Sequence, residues 1–218
     1  MGHVPVTDMI AMIVVIFFGI GLHEYAHCKF ADMAGDPTPR AYGRVTLNLV
    51  KHFDPIGSFM ILFTVMNGFG FGWGRPAPMN PSRMRDPRWD WFTAVAAGPI
   101  SNLLQATIYA FLFRLLMPNL HGSPGTVTDF LAALIFYGVA INLGLFFFNL
   151  IPFGPLDGHW LVGLLMPEKQ RWQWFQFNQK IGTFALFGAI LLMQALNISL
   201  MAGPVAWAFQ LLTGLRIG

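Results

Sequence analysis

Met9-Ile10-Ala11-Met12-Ile13-Val14-Val15-Ile16-Phe17-Phe18-Gly19-Ile20-Gly21-Leu22 carries no charge, and His23-Glu24-Tyr25-Ala26-His27 follows it directly, ahead of Phe30. Crossing a bilayer takes about 20 mostly apolar residues, so this stretch reads as a helix facing lipid. Residues 1–8 contain no Lys or Arg, which argues against a cleaved leader. The polar insertion is H-E-x-x-H. Four residues apart on a helix, the two imidazoles share one face, one turn above the other. Two neutral imidazoles suit zinc, and the adjacent carboxylate can hold and deprotonate a zinc-bound water. An acidic side chain inside a span costs about 2.5–3.5 kcal/mol on insertion scales, so Glu24 needs a partner, which a metal ion with its water supplies. A structural His/Glu cluster is the plainer alternative.

The rest of the chain has the same character. Of its 218 residues, 55% are hydrophobic and only 11% charged, where a typical globular chain is about 25% charged. So few charges cannot cover a soluble surface. The formal charge of +3 comes without a Lys/Arg tract, so no nucleic-acid footprint is present. One cysteine, Cys28, excludes an internal disulfide framework and a Cys-rich metal knuckle.

Apolar runs predict spans over about 6–30, 92–117, 129–151 and 181–202, in one domain covering 1–218. A run over 56–73 is shorter and interrupted by Asn67 and several glycines. Between it and the first run, Arg44-Val45-Thr46-Leu47-Asn48-Leu49 alternates polar and apolar, as a half-buried strand does. Such a strand could offer an edge to an extended peptide. Lys29, Arg40, Arg44 and Lys51 precede 56–73, Arg75, Arg83, Arg85 and Arg88 follow it, and Lys169, Arg171 and Lys180 precede the last run. If 56–73 crosses fully as a short span, these clusters fall on opposite sides; if it enters and leaves by one face, all lie on one side, the cytoplasmic one by the Lys/Arg rule, which favours the re-entrant reading. The expected fold is therefore an all-α, multi-pass membrane bundle with a small cytoplasm-side β-strand and re-entrant element. His52 reads as a cap of that element, Arg114 as a residue snorkelling to headgroups, and Trp172, Trp174, Phe175 and Phe177 as an interfacial belt. His3 and His121 read as solvated, and His159 as either interfacial or a support beside the metal site.

A catalytic zinc takes three protein ligands and keeps one position open. Cys28 points about 100° around the helix from His27, so it is a poor third ligand. Asp157 is the best candidate, in Asn149-Leu150-Ile151-Pro152-Phe153-Gly154-Pro155-Leu156-Asp157-Gly158. Pro152 and Pro155 prevent a regular helix there, Gly158 lets the backbone turn, and a broken helix ending in an acid can present a ligand to a wet cavity.

The pair H-E-x-x-H and N-x-x-P-x-x-x-L-D-G resembles the site-2 proteases, intramembrane zinc metalloproteases. Ala97-Gly98-Pro99-Ile100-Ser101-Asn102 is similar to the family's A-G-P-x-x-N motif. Gly43-Arg44-Val45-Thr46-Leu47-Asn48, His52-Phe53-Asp54-Pro55-Ile56-Gly57 and the stretch from Gly72 to Pro81 resemble a compact bacterial and archaeal branch without PDZ or CBS domains. Leu49 departs from that branch, which often has Pro there.

The resemblance implies one Zn2+ per chain held by His23, His27 and Asp157, with Glu24 as general base and acid. It implies substrate-holding or oxyanion-stabilising roles for Asn149 and Asn102. An amide in an apolar span must find some partner, and an interhelical hydrogen bond is the alternative for either. The implied substrate is a membrane-spanning protein or peptide, cut within the bilayer of a prokaryotic cell membrane. A prenyl-protein type of metallopeptidase would need a Glu-bearing helix, and the only other Glu, Glu168, follows Met166-Pro167 in a loop context. A non-catalytic metal-binding membrane scaffold or transporter is the alternative of another class; transport favours charges along the spans, which are missing.

Overall fold

The computed structural model describes residues 4–67, 72–120, 123–196 and 199–215. His3, His121 and parts of the 56–73 and 181–202 runs lie outside the described residues. Nine α-helices are described: α1 (Val6–Met33), α2 (Thr38–Ala41), α3 (Pro55–Asn67), α4 (Trp89–Leu116), α5 (Val127–Asn149), α6 (Asp157–Leu165), α7 (Glu168–Phe177), α8 (Thr183–Ala195) and α9 (Ala202–Thr213). Among the described residues, three helical segments are long and apolar enough to cross a membrane: Val6–Met33, Trp89–Asn119 and Val127–Asn149. They pack against one another, with α2 and α3 against α1, α6 against α4 and α9 against α4 and α5.

The sorting of residues between inside and outside explains this packing. The buried face of α4 is small, with Ala94, Ala97, Gly98, Ala106 and Ala110, while Ile100, Leu104, Ile108 and Phe111 on its other side are exposed. Small residues let helix backbones approach closely, which is how helices associate where the surrounding solvent is itself apolar. Gly138 of α5 makes the same point, because a Cβ there would collide with the Tyr109 ring. One apolar cluster joins α4, α5 and α9 through Phe113, Ile135, Val139, Leu143 and Phe209. Polar groups take the middle of the bundle: Asn102 and Asn142 are wholly buried. At one end, the Tyr137 hydroxyl donates to Asp8 at 2.9 Å and the Thr7 hydroxyl to Asp129 at 3.1 Å, which ties α1 to α5. Such an inside-out distribution fits a membrane protein.

Several expectations are corrected. No strand forms among the described residues; 44–49 runs as bends into a 3-10 turn at Leu49–His52, and only Phe53 and Gly74 make an isolated antiparallel bridge. The alternation there does not sort faces as a strand would. Leu47 is 66% exposed, whereas Arg44 is buried because its guanidinium donates to the Arg75 carbonyl at 2.6 Å. With that side chain turned inward, the segment presents no ladder edge. His52 does not cap α3 either. Asp54 does, accepting from the Ile56 and Gly57 amides at 3.0 and 2.9 Å, while His52 is buried against the Thr46 carbonyl and Arg44. Burial pushes the His52 imidazole below its ordinary value. Arg114 donates to the Leu211 carbonyl at 3.0 Å, at the end of α9. The run over 181–202 is divided: α8 stops at Ala195 and α9 begins at Ala202.

What replaces a sheet is a braid of side chain to backbone bonds. α1 ends on Gly35, whose φ of +102° lets the Asp36 amide reach back to the Ala31 carbonyl at 3.0 Å. Asp36, wholly buried, then accepts from the Thr38 amide at 3.0 Å and from the Asn80 amide at 2.6 Å. The Arg75 amide donates to the His52 carbonyl at 2.8 Å. The chain leaving α3 thus returns to where α3 began, with Trp73 against Gly57.

Replacing Asp36 by Ala strands the half-buried Asn80 and Thr38 donors. We expect D36A to lower the thermal midpoint in detergent micelles, corresponding to about 1–3 kcal/mol. An unchanged melting curve would show that the braid contributes nothing to stability.

Candidate metal centre

His23 and His27 project from the same face of α1, four residues apart, with ring centroids 4.6 Å apart. Each ring is oriented by α4. The Nδ1–H of His23 donates to Asn102 Oδ1 at 2.7 Å, and that of His27 to the Ala94 carbonyl at 2.8 Å. With Nδ1 carrying the proton, each neutral ring turns a bare lone pair at Nε2 toward the other. Those nitrogens are 3.0 Å apart.

Asp157 completes the triangle from the first turn of α6. Its Oδ2 lies 3.1 Å from His23 Nε2 and 3.4 Å from His27 Nε2. The same oxygen is buried and takes no hydrogen bond. Three acceptors facing one another without a proton donor repel, unless a cation lies among them. A tetrahedral ion with bonds of about 2.0–2.2 Å spaces its ligands at roughly 3.3–3.6 Å, close to these separations. The donor set of two imidazoles and a carboxylate fits zinc and leaves the fourth position open.

The local sequence explains how three distant segments meet. Gly98 is the contact point between α4 and the imidazoles, because a Cβ there would overlap His27 Nε2 and Cε1. Pro99 follows it inside α4, and the helix continues through. The role of Gly158 differs from the turn expected: a Cβ would strike the carbonyls of Leu150 and Ile151, so the chain before α6 folds tightly over the helix start. His159 is buried, with Nδ1 donating to the Leu156 carbonyl at 2.5 Å, and burial pushes it below its ordinary value. It stays outside the triangle. Trp174 and Phe175 of the expected belt pack inward, Trp174 donating to the His159 carbonyl at 2.7 Å.

Two helices support the triangle through amides. Asn102 Nδ2 donates to the Gly19 carbonyl and to Asn142 Oδ1, both at 3.0 Å, and Asn142 Nδ2 donates to the Gly138 carbonyl at 2.9 Å. Asn102 has therefore committed both amide hydrogens, and its oxygen holds His23. Asn142 went unremarked in the sequence; its only signal was an amide inside the charge-free run of α5. Asn149 lies farther along α5 on a cavity wall, its amide donating to the Leu145 carbonyl at 2.9 Å. Glu24 borders the same cavity of about 870 Å3, which is walled also by Ile61, Trp73, Pro76 and Phe148. Its Oε2 is buried with no hydrogen-bond partner. Gly74 stands close by, since a Cβ there would come within 3.2 Å of Glu24 Cγ.

The chain is 35% identical over 169 residues to a Bacillus subtilis (strain 168) protein named "Putative zinc metalloprotease YwhC", covering 78% of this chain and 75% of that protein. It belongs to this zinc metalloprotease family. No protein-family model matches the chain, and no solved structure does. Among the described residues, His23, His27 and Asp157 form a group that could hold a metal ion, with the Glu24 Oε2 unpartnered nearby.

Gly98 gives a direct test of the packing. In G98A the new methyl must displace the His27 ring, and Zn2+ affinity should fall by about 10–100-fold, the range seen when the supports of a metal ligand are altered. Competition with a chromophoric chelator reads this; wild-type affinity in G98A would refute the packing.

Proposed function

We propose that this metalloprotease is of the site-2 type and cuts peptide bonds of membrane-spanning substrates within the bilayer. The observation that carries the reading is an unpaired Glu24 carboxylate beside three convergent acceptors, in a bundle whose outer faces are apolar. α1, α4 and α5 act as spans, and the chain is multi-pass. The run over 56–73 is taken as re-entrant on the Lys/Arg distribution of the sequence.

One Zn2+ per chain would be held by His23, His27 and Asp157, supplying Lewis acidity and a water of lowered pKa. Glu24 takes the water proton at its free Oε2 and delivers it to the leaving amine. Asn102 keeps the His23 lone pair aimed at the centre, so it is a positioning residue; both its amide hydrogens are already spent. Asn149, on the cavity wall, is the amide left to hold the substrate backbone. The apolar walls exclude bulk water, which strengthens each polar contact inside.

The test is cleavage of single-span peptides reconstituted in vesicles, with and without a chelator. Chelation should stop cleavage and returned Zn2+ should restore it. Glu24→Gln should retain zinc and lose at least about 100-fold in rate. Cleavage that survives either treatment would sink the reading.

A further inference from the structure

We propose that Asn178 is a positioning residue for Asp157, acting as one jaw of a clamp that fixes the carboxylate against the histidine pair. The proposal rests on the metal-centre reading of His23, His27 and Asp157. Asp157 sits in a part of the chain that lacks regular support. Pro152 and Pro155 remove two backbone donors from the preceding loop, and α6, which it begins, is only nine residues long. Something else must hold it in place.

The support comes from α7. Beyond Phe177 this helix widens into a π turn, Asn178–Gly182, before continuing as α8. Asn178 is 4% exposed in an otherwise accessible stretch of helix. Its Oδ1 accepts the buried Gly154 amide at 2.9 Å, three residues before Asp157. Its Nδ2 donates to the Trp174 carbonyl at 3.2 Å. Trp174 in turn donates from Nε1 to the His159 carbonyl at 2.7 Å, two residues after Asp157. One turn of one helix therefore grips the chain on both sides of the third ligand.

The residue types are those such a clamp requires. Only an amide side chain of this length offers an acceptor to Gly154 and a donor to its own helix at once. Gly182 makes room for it, since a Cβ there would come within 2.6 Å of Asn178 Oδ1. π turns inside α-helices are rare and concentrate at functional sites, because the extra residue rotates one half of the helix against the other. Here the rotation lets Asn178 face Gly154 while Phe184 and Leu191 of α8 stay on the apolar exterior. A partner that fixes a metal ligand commonly matters almost as much as the ligand.

The experiment uses the full chain in detergent micelles, with Zn2+ affinity read by chelator competition and geometry by the visible absorption of the Co2+ form. Asn178→Ala should weaken Zn2+ binding by about 10–100-fold and alter the Co2+ band. Asn178→Asp keeps the acceptor for Gly154 but loses the donor and sets a carboxylate against the Trp174 carbonyl, so it should recover only part of the affinity lost in Asn178→Ala. Trp174→Phe keeps the ring, removes the second jaw, and should give a smaller loss. Wild-type affinity and spectrum in Asn178→Ala overturn the proposal, as does an equal loss in Asn178→Ala and Asn178→Asp. Should Asn178→Ala fail to fold, unchanged affinity in Trp174→Phe overturns it. Peptide cleavage does not enter this measurement. A wild type that binds Zn2+ with an Asn178-dependent affinity yet cuts nothing supports the clamp and refutes the protease; a wild type that binds no Zn2+ overturns both.

Discussion

Three lone pairs aimed at one point in a medium that screens charge poorly cannot stand alone. His23 Nε2, His27 Nε2 and Asp157 Oδ2 lie within 3.4 Å of one another, and nothing between them donates a proton. Their mutual repulsion is the stress around which the rest of the molecule is arranged. A divalent ion turns it into attraction, and a low effective dielectric magnifies both signs. The rigid supports behind each ligand hold the three atoms together through α4, α5 and α6.

That arrangement calls for an unusual interior. In a soluble enzyme the core is large and apolar, and polarity lies outside. Here amides, imidazoles and small residues sit in the middle of α1, α4 and α5 beside a modest apolar cluster, and many bulky aliphatic side chains point outward. Close backbone approach at Gly98 and Gly138 makes the interior narrow enough for hydrogen bonds to bridge helices directly. Asn102 illustrates the economy of the design: one side chain orients His23, joins α1 at Gly19 and meets α5 at Asn142.

The parts of this structure legible in the sequence are those where chemistry restricts the choice of residue. H-E-x-x-H places two imidazoles and a carboxylate by helical spacing, and Asp157 stood out as an acid behind two prolines. Long apolar helices followed from run length. The segment 44–49 misled because a polar–apolar alternation says nothing of which residue turns inward, and a buried Arg44 bonded to Arg75 reverses the strand pattern. Asn142 and Asn178 were silent for a different reason. A buried amide announces that it has a partner, but the partner is a backbone or side chain far away in sequence. Trp174 read as an interfacial anchor since its composition is the same whether its indole N–H meets a headgroup or the His159 carbonyl.

The two imidazoles take their orientation from a single neighbour. Ala94 and Asn102, which receive the Nδ1 protons of His27 and His23, are both on α4, a little over two turns apart. An axial slip or a twist of α4 would therefore swing both rings together and disconnect both tautomers in one motion. Whatever grips the ends of that rod from outside has a mechanical line to the reactive centre without ever touching it.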